Sequence, residues 1–281
     1  MSLLRYPGGK NRLLKCLWPA VSRLPTNVYA EPFVGGGSMA LHVAKIFPET
    51  EIWLNDLDAE VAAFWEAVAG DGTVTDYLCE LVEESRGPTD DPSARFDYWK
   101  AVRNSQPETD AERAFKLIFM NKTCYGGLLD GVPISGWDQS GWKGRDERRV
   151  VCQYSVDIIL RNLRHAREML WGRTHVSSVD AVDFMRYHRQ MPMYLDPPYH
   201  DAKKMYRHMM TDAQHLRLAA CLREHQADWV LSYNDDEFVR AAYADADVRA
   251  VEAHYSNRPQ KENWTLASEL FIVPKAPVVK I

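Results

Sequence analysis

Five short runs of β-branched and aromatic residues end in polar or glycine-rich turns: Val28-Tyr29-Ala30, Ile52-Trp53-Leu54, Met193-Tyr194-Leu195, Trp229-Val230-Leu231-Ser232 and Leu270-Phe271-Ile272-Val273. Helical patterns separate several of them. One covers 38–46, directly after a glycine run, and another covers 212–225, where Thr211 or Asp212 can cap the start. Strand, glycine turn, helix, strand is the order of a mostly parallel sheet, because parallel neighbours need a crossover long enough to hold a helix. The alternation breaks between 59 and 171. There 61–68, 74–84 and 96–103 read as helices, and a stretch holding Gly126, Gly127, Gly131, Gly136, Gly141 and Gly144 with Trp137 and Trp142 reads as loops or a hairpin. The expectation is an α/β sheet domain built from 1–58 and 172–281, with 59–171 inserted as a mainly helical domain.

The 281 residues, 46% hydrophobic and 26% charged, exclude a disordered chain and a small disulfide scaffold. The net charge of -5 argues against a surface that is basic throughout. It is unevenly distributed: 49–112 holds 17 acidic against 4 basic residues, whereas 116–175 holds 10 basic against 6 acidic. The second stretch can meet an anionic partner. Five scattered cysteines without a C-x-x-C pair suggest neither a zinc site nor a disulfide framework, and fit a reducing cytoplasm. No apolar run reaches the ~18 residues of a membrane span, and the N-terminus lacks a secretion signal.

Three motifs carry chemistry. Glu31-Pro32-Phe33-Val34-Gly35-Gly36-Gly37-Ser38 takes a strand end through glycines into a helix, whose first N–H groups are free to meet a ligand. The run also reads as a plain structural turn. Asp56, at the end of the next strand, stands where an acid accepts hydrogen bonds from ribose hydroxyls in nucleotide-binding α/β folds. Asp196-Pro197-Pro198-Tyr199 follows an apolar strand, and two prolines force the chain off the sheet in a fixed direction at its carboxyl edge, where such folds bind ligands. Arg5-Tyr6-Pro7-Gly8-Gly9-Lys10 is a turn signal followed by an isolated lysine.

These motifs in this order, with Met120-Asn121-Lys122-Thr123-Cys124-Tyr125-Gly126-Gly127-Leu128, resemble the Dam-type DNA adenine methyltransferases. Ser232-Tyr233-Asn234-Asp235 and Glu269-Leu270-Phe271-Ile272 are similar to later segments of that family. The resemblance spans most of the chain, with gaps through the acidic middle. It implies a Rossmann-like S-adenosylmethionine-dependent methyltransferase sheet with an inserted, mainly helical target-recognition domain, and methylation of the exocyclic amino group of adenine in duplex DNA. Matched by position, Tyr6, Lys10, Asp56 and Asp196 would contact the cofactor, and Phe33 and Gly35 would line its pocket. Phe184, read as lying on the turn before the Asp196 strand, would touch its adenine. Asn121, Lys122, Tyr125 and Leu128 would open the DNA-reading hairpin. A monomer without a metal is implied.

The chemistry also follows from the residues. An exocyclic amine on adenine is a weak nucleophile because its lone pair is delocalised into the ring. A carboxylate (Asp196) and a backbone carbonyl (Pro197) accepting its two N–H bonds free that pair, with Pro198 keeping the carbonyl aimed and Tyr199 stacking on the base. Alignment matters more than an acid or base. The base must first be flipped out of the duplex, at a cost of a few kcal/mol that aromatic stacking (~1–3 kcal/mol) and phosphate contacts offset. Lys143, Arg145, Arg148, Arg149, Arg161, Arg164, Arg167, Lys203, Lys204 and Arg207 are the candidate phosphate contacts. Where GATC-specific members carry an arginine after the hairpin's Gly-Leu, this chain has Asp130, which cannot read guanine as arginine does, so a GATC target is not carried over. A cytosine amine would be served by the same groups. A catalytically silent DNA-binding scaffold is disfavoured by the complete motifs, and a nicotinamide-dependent oxidoreductase by the missing G-x-G-x-x-G.

Overall fold

The computed structural model describes residues 3–5, 10, 14–24, 27–70, 72–91, 94–124, 154–201, 208–254 and 266–275. Their elements are, in chain order, α1 (Leu14–Val21), β1 (Val28–Glu31), α2 (Ser38–Ile46), β2 (Glu51–Asn55), α3 (Ala59–Ala69), α4 (Gly72–Glu84), α5 (Arg86–Asp90), α6 (Arg95–Asn104), α7 (Asp110–Thr123), α8 (Val156–Leu170), β3 (Thr174–Ser177), α9 (Ala181–Tyr187), β4 (Met193–Leu195), α10 (Asp212–Arg223), β5 (Trp229–Asn234), α11 (Glu237–Ala242), β6 (Asp247–His254) and β7 (Leu266–Val273). The strands form one seven-stranded sheet in the order β3-β2-β1-β4-β5-β7-β6. Pairing is parallel from β3 to β5, and β7 runs antiparallel to both β5 and β6. The strand order reverses between β1 and β4, which opens a crevice at the carboxyl ends of those two strands.

The central strands are buried on both faces, so they read as continuous apolar runs. Tyr29, Tyr194, Val230 and Phe271 belong to one core cluster, whereas their neighbours Ala30, Met193, Leu195, Leu231, Leu270 and Ile272 belong to another. That period of two separates the faces of the sheet. The first cluster draws its helical partners from α1, α2, α3, α4, α6, α7 and α8, and the second from α9, α10 and α11. The segment 59–171 shares the first core: Trp65 of α3, Phe119 of α7 and Leu163 of α8 are fully buried in the same cluster as Ile52 and Leu54 of β2.

Capping explains where the helices begin. Thr109 and Thr211 each form a reciprocal capping box, with Glu112 and Gln214. Asp58, Asp180 and Asp236 accept helix N–H groups at the starts of α3, α9 and α11. Asp180 starts α9 at Ala181, so Phe184 lies on a helix rather than on the turn expected from the sequence, because a helix of seven residues is too short to show a clear period.

Among the described residues, some basic side chains of 116–175 meet acids of 49–112. Arg167 of α8 pairs with Asp76 of α4 at 2.7 Å. On the same helix face Arg86, with Arg164 contributing, holds the exposed Glu83 carboxyl below the usual range. Two arginines expected as phosphate contacts thus face the acids of α4.

Candidate active site

The glycine loop is shaped by a tryptophan behind it. Gly35 and Gly37 have φ of 44° and 61°, a region that favours glycine. A Cβ on Gly37 would lie 2.2 Å from Cζ2 of Trp65, and the same indole donates from Nε1 to the Gly35 carbonyl at 2.9 Å. The loop is therefore pressed onto α3. From the other side Asp56 Oδ2 accepts the Gly35 N–H at 2.9 Å, while Oδ1 accepts the Asp58 N–H at 3.0 Å. Burial pushes the Asp56 carboxyl up to about 6, against the pull of those two backbone bonds.

Asn55 joins three loops at this edge. Its Nδ2 donates to the Pro32 and Val179 carbonyls, both at 3.0 Å, and its Oδ1 accepts from Ser177 Oγ at 2.8 Å and Val179 N at 3.1 Å. Both amide protons and both lone pairs are used. Next to this hub, Leu57 and Val179 are 46% and 43% exposed, apolar surface at the edge where Asp56 stands. Phe33 is partly buried against the second core cluster. Phe184 is buried within that cluster, its ring centroid 4.6 Å from that of His188.

Glu31 is buried at the end of β1. Tyr29 Oη donates to its Oε1 at 2.8 Å, and the Ala40 N–H in the first turn of α2 also bonds to it. Burial pushes this carboxyl up to about 8, against the Tyr29 bond, and Asp196 adds repulsion. A side chain of the protein thus takes one of the helix-start N–H groups that binds phosphate in other α/β folds.

The second half of the site is built around Lys10, which is only 2% exposed. Its Nζ is 2.8 Å from Asp196 Oδ1, donates to Tyr199 Oη at 2.6 Å and is 3.8 Å from Glu269 Oε2. Ser232 Oγ, on β5, also donates to Asp196 Oδ1 at 3.0 Å and is itself bonded to Tyr194 Oη at 2.9 Å. Both contacts converge on Oδ1, so Oδ2 is the oxygen left for an incoming donor. The Tyr199 hydroxyl also bonds Glu269. Tyr199 is tethered by its hydroxyl, and its titration is pushed well up by burial and by the Asp196 and Glu269 carboxylates. Beyond it, the His200 carbonyl accepts from Asn234 Nδ2 at 3.2 Å, its ring stacks on Phe238 at 4.3 Å, and its Nδ1 lies 3.1 Å from the α11 cap Asp236. The chain leaving β4 is fixed on both sides.

Asn121, expected at the DNA face, is buried: its Oδ1 accepts the Arg5 N–H at 2.6 Å and its Nδ2 donates to the Arg5 carbonyl at 2.7 Å. It anchors the segment that delivers Lys10. Lys122 beside it is half-buried, and burial, with Arg5 adding repulsion, lowers its ammonium to about 8. Tyr6, Tyr125, Leu128, Asp130, Lys143, Arg145 and Lys203 lie outside the described residues. Sequence reasoning gave no role to Glu31 and Asn55, which stand within and beside its motifs, and placed Ser232 and Glu269 only within family segments. Among the described residues no cluster could hold a metal ion, and no helix is long and apolar enough to cross a membrane.

Comparison with known proteins identifies this arrangement. A sequence model of the D12 class N6 adenine-specific DNA methyltransferases matches residues 6–257. The chain belongs to that family. It is 25% identical over 227 residues to the type II methyltransferase M.MjaIII of Methanocaldococcus jannaschii, an alignment covering 72% of this chain and 70% of that protein. It is 24% identical over 127 residues to the type II methyltransferase M.CviBI of Paramecium bursaria Chlorella virus NC1A, covering 45% of this chain and 44% of that protein. As a D12 class methyltransferase it is an enzyme that methylates adenine in DNA, which decides against the cytosine, silent-scaffold and oxidoreductase readings.

Proposed function

We propose that this methyltransferase transfers the methyl group of S-adenosylmethionine to the N6 amine of an adenine flipped out of duplex DNA, at the crevice between β1 and β4. One observation carries the assignment of the centre: Asp196 is held through Oδ1 by Lys10 at 2.8 Å and Ser232 at 3.0 Å, which reserves Oδ2 for the amine. With Oδ2 and the Pro197 carbonyl each accepting one N–H, the amine lone pair is withdrawn from the ring. These acceptors are in place before the base arrives, so little reorganisation is needed. Tyr199, tethered by its hydroxyl, offers its ring face to the base.

The donor set fits the cofactor. The molecule has ribose hydroxyls and no phosphate, and the glycine loop presents Asp56 for hydroxyls while Glu31 fills a position at the α2 start where a phosphate would otherwise bind. Leu57 and Val179 offer apolar surface for an adenine ring, with Phe33 and Gly35 toward the loop. Phe184 is buried in the core cluster against which Phe33 packs. When bound, the cofactor supplies an electrophilic methyl on a sulfonium. Lys10, Asp56 and Asp196 are assigned to its pocket, with Tyr6 added from the sequence. Tyr125, Leu128, Lys143, Arg145 and Lys203 are assigned to DNA from the sequence, within a target-recognition insertion at 59–171. Asn121 is assigned to holding Arg5 rather than to contacting DNA, and Lys122 lies next to it. The enzyme works as a monomer in the cytoplasm, and with Asp130 in place of the guanine-reading arginine no GATC target is assigned to it.

Calorimetry with S-adenosylmethionine tests the cofactor half. Asp56→Ala is expected to weaken binding at least tenfold, through loss of a charged acceptor worth ~1.5–3 kcal/mol and of the Gly35 tether. Unchanged affinity would remove Asp56 from the pocket.

A further inference from the structure

Tyr199 can stack on a flipped base only if its ring is held, and a ring on a chain is oriented by its far end, by the surface it packs on and by its backbone end. At the far end its hydroxyl accepts from Lys10 Nζ at 2.6 Å. Its ring packs near that of Tyr233 on β5, with centroids 6.1 Å apart and 34° between the planes, and Tyr233 is itself fixed by the hydrogen bond between its hydroxyl and His215 Nδ1. The backbone end needs a further hold. The two prolines fix φ at 197 and 198, but ψ of both, and φ and ψ of Tyr199, stay soft unless the chain is caught again beyond them.

We infer that His200 is the residue that catches it, a positioning residue that sets the Tyr199 ring for the incoming base. The inference rests on the function proposed above. Three elements hold His200 at once. Its carbonyl accepts from Asn234 Nδ2, at the end of β5, at 3.2 Å. Its ring lies flat on Phe238 of α11, with centroids 4.3 Å apart and planes 7° apart, and meets His215 of α10 edge-on at 5.5 Å. Its nitrogens lie 3.1 Å from Asp236 Oδ1 and 3.4 Å from Asp212 Oδ1, the carboxylates at the starts of α11 and α10. Directly after it the chain turns at Asp201, whose φ of 54° is a left-handed conformation that aspartate tolerates better than most side chains. The diproline run thus has a fixed end on each side, β4 before it and His200 after it.

No contact to the amine or the cofactor is assigned to His200, so its effect reaches the reaction through Tyr199. Burial, with His200 adding repulsion, lowers His215 to about 4, so near neutral pH it is an uncharged ring that both Tyr233 and His200 pack on. Without the His200 side chain, Tyr199 would have to be ordered again as each base arrives. Re-fixing the backbone of one residue slows that step roughly tenfold, about 1.4 kcal/mol.

The test is single-turnover methyl transfer by the full chain to saturating unmethylated genomic duplex DNA of mixed sequence, beside calorimetric binding of S-adenosylmethionine. His200→Ala should run roughly tenfold slower while its cofactor affinity stays within about threefold of wild type, because the loss falls on capture of the base and not on the cofactor. Phe238→Ala, which removes the ring under His200, should slow the transfer in the same sense, and it serves as the test if His200→Ala does not fold. Tyr199→Ala should itself be slower by roughly 5- to 150-fold, the worth of one base stack. Adding His200→Ala to it should cost less than about threefold more, since no ring is left to orient. Wild-type rates in both His200→Ala and Phe238→Ala, losses that multiply in the Tyr199→Ala background, or an equal fall in cofactor affinity would overturn the positioning role while leaving the function standing. Failure of the wild-type protein to methylate adenine would instead remove the reading beneath it.

Discussion

Replacing Lys10 by methionine keeps most of the side-chain volume and removes an ammonium that touches Asp196, Tyr199 and Glu269. At pH 8, where Glu269 is largely ionised, the change removes a cation from beside two carboxylates, one of them fully buried. Removing one partner of a buried pair typically costs about 3–5 kcal/mol. With an unfolding entropy near ~2.1 cal/mol/K per residue over 281 residues, that cost corresponds to a fall in Tm of about 5–8 °C. At pH 6 Glu269 carries its own proton and only the partly exposed Asp196 is left unpaired, so the fall should be roughly half as large. Circular dichroism melting curves of both proteins at the two pH values measure this. The double variant Lys10→Met/Glu269→Gln should regain part of the loss at pH 8, since the two sites share one cluster and do not add. A Lys10→Met protein that melts with the wild type at pH 8, or whose deficit is the same at pH 6, would refute the reasoning that Lys10 neutralises both acids.

Other expectations follow from single contacts. Ser232→Ala removes the 3.0 Å bond to Asp196 Oδ1 and should lower kcat about tenfold with the cofactor KM unchanged, since a hydrogen bond to a charged group is worth ~1.5–3 kcal/mol and only orientation is lost; a kcat at the wild-type level would show that Lys10 alone holds Asp196. Gly37→Ala must place a Cβ 2.2 Å from the Trp65 ring at a φ of 61°, so about 2–6 kcal/mol of stability should be lost, read by denaturant unfolding, and a neutral substitution would contradict the packing of the loop on α3. Glu31, raised from 4.5 to about 8, binds its proton more tightly folded than unfolded. Its contribution to stability is complete below pH 4.5 and is lost as pH rises through 8, on the order of a few kcal/mol. Glu31→Gln should flatten that decline between pH 5 and 9 in thermal melts; an equally steep decline would place the effect elsewhere.

What was legible in the sequence was what burial on both faces makes continuous. All five apolar runs became strands, and α2 spans the residues 38–46 read from its period. The strands that escaped notice are the two sheet edges. Thr174-His175-Val176-Ser177 is only four residues long and mostly polar, and β6 carries Asp247 and Arg249 among its apolar residues. Edge strands are wetted on one side and show no apolar run. The motif residues Asp56 and Asp196 announced themselves by position after strands. Asn55, Ser232 and Glu31 did not, because their value lies in contacts such as Asn55 to Val179, 124 residues away, which no local pattern encodes. Arg167 was legible as a basic residue but not as the partner of Asp76, 91 residues away, because no local pattern encodes that ion pair. Phe184 shows the limit of a short segment, where the cap at Asp180 and not periodicity marks the helix.

The crevice at Asp196 is assigned the transfer of a methyl group onto adenine N6. Incubating the protein with methyl-labelled S-adenosylmethionine and unmethylated genomic duplex DNA, then digesting the DNA and identifying the labelled nucleoside by mass spectrometry, tests it most directly. N6-methyl-2′-deoxyadenosine is expected as the labelled nucleoside with the wild-type protein, and at least a hundredfold less of it with Asp196→Ala while cofactor still binds. Label on cytosine, or wild-type turnover by Asp196→Ala, would contradict it.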